Sequence, residues 1–137
     1  MVKKIAHVGI ATRSVDDAAR FYELLGLEVE TVEVSRDQKV KAGVLGVGES
    51  ALELLEATDA DSPIARFIEK RGEGIHHITF EVEDLEDMLA RLRANDISLI
   101  NERPIQGIEG SLAAFIHPKS TGGVLVELVQ STEGADQ

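Results

Sequence analysis

The apolar positions of this 137-residue chain follow two periods, and the order in which those periods appear is repeated. A short run, Lys4-Ile5-Ala6-His7-Val8-Gly9-Ile10, alternates its faces as a strand does. It returns seventy residues later as Gly74-Ile75-His76-His77-Ile78-Thr79-Phe80, with a histidine at the matching place. Behind each run the apolar spacing changes to three and four, at Ala18-Phe21-Tyr22-Leu25 and at Leu85-Met88-Leu89-Leu92, which predicts one amphipathic helix in each half. Ser14-Val15-Asp16-Asp17 and Asp84-Leu85-Glu86-Asp87 read as their N-caps, with acidic residues placed to suit the helix dipole. The first helix should stop at Gly26 and the second at Asn95-Asp96, residues that tolerate a left-handed backbone.

Period-two segments then resume. Strands are predicted at 27–34, 39–47 and 50–56 in the first half, and at 97–101, 110–117 and 123–130 in the second. Each half is therefore β-α-β-β-β, and the fold class is α+β. The chain reads as a single domain, 1–137, of two such modules, about 3–56 and 74–130. A linker helix near 62–70 joins them and starts at Asp61-Ser62-Pro63, with proline at its permitted first-turn position. His117-Pro118-Lys119-Ser120-Thr121-Gly122-Gly123 is a turn-rich loop that takes up the extra length of the second half. The polar tail after Gln130 is expected to fray.

Composition narrows the function without naming it. Hydrophobic residues make up 43%, enough for a core, and no apolar window spans a membrane. The start lacks a signal-peptide pattern and the chain has no cysteine, which points to the cytoplasm and excludes thiolate metal sites. A formal net charge of −11 argues against nucleic acid or an anionic membrane as partner, and 4% aromatics leave little for base stacking.

The repeat also duplicates a glutamate set among aliphatic residues. Ala51-Leu52-Glu53-Leu54-Leu55 follows the first histidine strand, and Val124-Leu125-Val126-Glu127-Leu128-Val129 follows the second. Strand alternation puts His7 with Ile5, Gly9 and Ala11, and makes His77, not His76, its counterpart. His76 points the other way and reads as a strand-end histidine with a local partner. A buried carboxylate costs several kcal/mol unless it is paired or coordinated. One such glutamate is ordinarily a solvated residue on an open sheet face. Two at matching places in a repeat that also repeats a histidine point instead to a ligand set. Two imidazoles and two carboxylates suit Co²⁺, Mn²⁺, Ni²⁺, Fe²⁺ or Zn²⁺. On an octahedral ion they leave two positions open for a chelating substrate.

These residues resemble the vicinal oxygen chelate superfamily, which includes glyoxalase I, extradiol dioxygenases and the fosfomycin and bleomycin resistance proteins. Within it the chain is most similar to the methylmalonyl-CoA epimerase family. The similarity is carried by Ile5-Ala6-His7-Val8-Gly9-Ile10-Ala11, by Asp61-Ser62-Pro63-Ile64-Ala65, by Gly74-Ile75-His76-His77-Ile78, and by His117-Pro118-Lys119 followed by Gly122-Gly123-Val124-Leu125-Val126-Glu127-Leu128. The resemblance implies two βαβββ modules forming a cup-shaped mixed sheet around a metal site, with His7, Glu53, His77 and Glu127 as ligands and Co²⁺ the foremost ion. It implies interconversion of (2R)- and (2S)-methylmalonyl-CoA through a metal-stabilised enolate, by a homodimer, with Glu127 as one acid/base.

Some members carry a second glutamate in the strand where this chain has Lys41-Ala42-Gly43, and Ala42 fills that place here. Lys41 or a water are the substitutes in view. Coenzyme A phosphates would find a cation and N–H donors at Lys119, Ser120 and the following glycines, a segment that also reads as a plain hairpin loop. Arg66, Lys70 and Arg71 on the linker helix add positive charge nearby in sequence, or form an ordinary solvated face. The alternatives in other classes are a glyoxalase-type isomerase acting on a thiol adduct and a metal-free protein that sequesters a small molecule.

Overall fold

The computed structural model describes residues 1–106 and 110–131. Among these, the first half runs β1 (Val2–Ala11), α1 (Val15–Leu24), β2 (Val29–Ser35), β3 (Val40–Val47) and β4 (Ser50–Ala57). Helix α2 (Pro63–Arg71) follows, then β5 (Gly74–Val82), α3 (Leu85–Ala94), β6 (Ile105–Gln106), β7 (Leu112–Ile116) and β8 (Leu125–Gln130). The strands form one mixed sheet in the order β2-β3-β4-β1-β5-β8-β7-β6. The β-α-β-β-β order thus occurs twice, as the repeat predicts.

The helices begin where their caps dictate. Ser14 accepts from the Asp17 N–H and Asp84 from the Asp87 N–H, each at 3.1 Å. Ser62 accepts from the Ile64 N–H at 3.2 Å with Pro63 in the first turn, and Gly72 closes α2 at a φ of +79°. Gly26 follows α1 at φ +92° and Asp96 follows α3 at φ +60°, both left-handed as expected.

By internal packing the chain falls into two compact units, one spanning His7–His76 and the other combining Met1–Ala6 with the residues from His77 onward. In the first unit α1 lies on β3 and β4 through Val15, Ala19, Leu45 and Leu54. The approach is close: a Cβ at Gly43 would stand 2.7 Å from the Val15 side chain, so glycine is required there. On the opposite sheet face α2 packs Ile64 against Ala11 and Leu55. In the second unit Leu85 and Leu89 of α3 pack with Val82, Ala114, Ile116 and Leu128.

The predicted strand at 97–101 does not form. Its place holds one isolated bridge, Leu99 to Ile116, and the strand after α3 is the two-residue β6. Side chains take ladder partners here: the Ser98 N–H donates to Ser120 Oγ at 2.9 Å, and the Phe115 N–H donates to Asn101 Oδ1 at 2.8 Å. These side-chain oxygens occupy N–H groups that a regular ladder would use. The expected strand at 110–117 starts at Leu112, and 107–109 lie outside the described residues, as does the tail from 132 on. The strand expected from 123 starts at Leu125, after Gly122 and Gly123 at φ +73° and +99°.

Candidate metal centre

Each unit places one histidine beside one glutamate through a parallel pair of strands. In the His7–His76 unit, β1 runs parallel to β4 with Gly9 opposite Glu53, and His7 lies one alternation before Gly9 on the same face. His7 Nε2 stands 3.7 Å from Glu53 Oε1. In the other unit β5 runs parallel to β8 with Thr79 opposite Glu127, the same register, and His77 Nε2 stands 3.8 Å from Glu127 Oε1. The sequence repeat is therefore a repeat of strand register. His7, His77 and Glu127 each present an atom that a metal ion accepts as ligand.

Both separations exceed an N–H···O hydrogen bond, which falls near 2.7–3.2 Å. Each pair sets an imidazole nitrogen near a carboxylate oxygen without a direct hydrogen bond between those two atoms. The donor chemistry, imidazole nitrogen with carboxylate oxygen, fits a borderline divalent ion.

The two pairs differ in what supports the carboxylate. Thr79 is fully buried, and its hydroxyl donates to Glu127 Oε1 at 2.7 Å. In the matching place the other unit has Gly9, which has no side chain to offer. Glu127 is thus oriented by a charge-assisted hydrogen bond from a rigid strand neighbour. Glu53 sits instead in an apolar strand, and burial, with the Glu33 charge second, raises its pKa above the ordinary carboxylate value. Sequence reasoning aligned Thr79 with Gly9 and passed over the hydroxyl. The usable signal was its position directly across from a ligand candidate in a parallel pair.

The remaining predicted residues are placed as follows. His76 turns away from His77 and meets Phe67 edge-on at a centroid distance of 5.0 Å, and burial lowers its pKa. Ala42 lies on β3 opposite Leu55, partly buried under α2. Lys41 pairs with Glu56 on the other face, the face whose Glu56 carboxylate accepts the Val15 N–H of α1. Strand parity therefore separates Lys41 from Glu53. Lys119 is exposed on a short 3-10 turn, Pro118–Ser120, capped by His117 Nδ1, which accepts the Lys119 N–H at 3.1 Å. Ser120 Oγ accepts the Ser98 N–H, so this hydroxyl has a structural use.

The family model described as glyoxalase/bleomycin resistance protein/dioxygenase superfamily matches residues 6–115. The Bacillus subtilis protein YqjC, uncharacterized, is 42% identical over 94% of this chain and 93% of its own. Human mitochondrial methylmalonyl-CoA epimerase is 35% identical over 93% of this chain and 74% of its own. A solved methylmalonyl-CoA epimerase in complex with methylmalonyl-CoA and NH4+ superposes with a TM-score of 0.87 at 37% identity, covering 96% of each chain. On the residues matched and the register of its paired histidine and glutamate strands, the chain belongs to the glyoxalase/bleomycin resistance protein/dioxygenase superfamily.

Proposed function

We propose that this chain interconverts the (2R) and (2S) epimers of methylmalonyl-CoA, and that His7, Glu53, His77 and Glu127 hold the divalent ion the reaction uses. The observation that carries the reading is the identical register of a histidine beside a glutamate in both units. Relatives that are methylmalonyl-CoA epimerases along nearly the whole chain supply the substrate. The ion, Co²⁺ first with Mn²⁺, Ni²⁺ or Zn²⁺ as the other choices, would supply positive charge for developing enolate oxygen.

The residues do the rest. C2 of the substrate lies between a thioester and a carboxylate, which makes its proton removable. Glu127, fixed by Thr79, takes that proton or returns one. The exposed ammonium of Lys119 receives coenzyme A phosphate, with Ser120 holding the loop against Ser98. The working unit is a homodimer in the cytoplasm, each copy using its full chain as one domain of two βαβββ halves. Among the described residues no helix is long and apolar enough to cross a membrane.

The test is hydrogen–deuterium exchange at C2 of methylmalonyl-CoA in D₂O, with protein stripped of metal and then resupplied with Co²⁺. Exchange should appear with the ion and vanish without it. An absence of metal-dependent exchange removes the reading. Thr79→Val tests the orienting hydroxyl separately. It keeps the side-chain shape, and should weaken divalent-ion affinity by about 10- to 100-fold, the range for lost partners of metal ligands. Titration calorimetry showing unchanged affinity would mean that Glu127 is held in place without Thr79.

A further inference from the structure

Moving a proton off one face of C2 and onto the other takes two acid/base groups, and Glu127 accounts for one. The face of the sheet that carries Glu53 extends across β3 to the edge strand β2. Glu53 stands opposite Val44, and Val44 opposite Thr31. One alternation further along, Leu55 stands opposite Ala42, and Ala42 opposite Glu33. Directly opposed residues share a face, as do residues two apart on a strand. Glu33 therefore projects from the same face as Glu53.

The positions between them on this face are Ala42 and Val44, neither of them charged. Glu33 is exposed, so a bound substrate can reach it. Its charge acts on the partly buried Glu53, where it adds to burial in raising the carboxyl pKa. A further carboxylate, Glu30, lies over Gly46, where any Cβ would run into it. Gly46 pairs with Ala51, so Glu30 shares this face one alternation beyond Glu53, on the side away from Ala42, and the carboxylate whose charge acts on Glu53 is that of Glu33.

We propose that Glu33 is the second acid/base group, carried on β2 directly across from Ala42; this rests on the epimerase reading above. In one direction the C2–H bond breaks, the proton goes to the Glu127 carboxylate, and the electron pair moves to the thioester oxygen as an enolate. The carboxylic acid of Glu33 then gives its proton to the opposite face of C2, forming the new C–H bond. The reverse direction exchanges the two roles. Exchange with water resets both carboxyls, and the net reaction neither gains nor loses a proton.

Glu33→Gln should slow interconversion by about 10²- to 10⁴-fold, the range for one general acid or base. Deuterium exchange at C2 should persist for one epimer, and bound metal by elemental analysis should match the wild type. Adding Ala42→Glu to Glu33→Gln should restore at least about tenfold of the lost rate, because β3 then presents a carboxylate opposite the same position. Glu33→Asp, which keeps a charged residue at an exposed edge position, gives a second folded variant and should slow interconversion with exchange of one epimer retained. Wild-type rates in both Glu33 variants overturn the proposal, as does loss of bound metal in Glu33→Gln. Wild-type protein that exchanges neither epimer defeats the epimerase reading itself, so the two failures are distinguishable.

Discussion

Glu127→Gln is expected to lower methylmalonyl-CoA interconversion by about 10²- to 10⁴-fold, because it removes a general acid or base. The exchange is nearly isosteric. The amide oxygen can still accept from the Thr79 hydroxyl, which bonds Glu127 Oε1 at 2.7 Å in the native protein. The β5/β8 register and the surrounding Phe80 and Leu128 pair do not depend on the charge. What disappears is an anionic ligand beside His77 and a basic oxygen for the C2 proton. Bound metal should fall together with turnover, while circular dichroism and the unfolding midpoint stay near wild type. Turnover within a few-fold of wild type in a folded, metal-loaded variant would rule out both roles assigned to Glu127.

Leu54→Ala is expected to cost about 2–5 kcal/mol of stability, a large share of the 5–15 kcal/mol of an ordinary domain. Leu54 is fully buried and packs with Val15, Ala19 and Leu45 under α1. The β4 backbone around it is fixed by pairing on both sides, to β1 and to β3, so the strand has little freedom to collapse into the space left behind. Its neighbour Glu53 points to the opposite face, and its position relies on that strand staying in register. Urea unfolding should show the midpoint falling sharply. A loss below about 1 kcal/mol would mean that the α1 face of β4 is far less tightly packed than the burial of Leu54 implies.

Much of this was legible in the residues. The caps at Ser14 and Asp84, the start of α2 at Ser62-Pro63 and the helix stops at Gly26 and Asp96 are local effects, set by hydrogen bonds and backbone sterics within a few residues, and all five are observed. Strand alternation separated His77 from His76, because period two is a property of the strand itself and survives whatever packs on it. The segment after α3 was read wrongly for a related reason. Ser98 and Asn101 look like strand residues until Ser120 and Phe115, distant in sequence, supply their partners.

The sequence by itself determined the duplication, the helix boundaries and the residue types of the proposed ligand set, since these rest on periodicity and on side-chain chemistry. Only the tertiary structure decided how the two copies differ. Thr79 and Gly9 occupy the same place in the repeat, yet one donates to Glu127 and the other leaves Glu53 without that support. Glu33 is an unremarked strand residue in the chain and becomes a neighbour of the site once β2, β3 and β4 are in register. Pairing across strands is a long-range choice, made by closing loops and burying apolar faces together, and no window of sequence contains it.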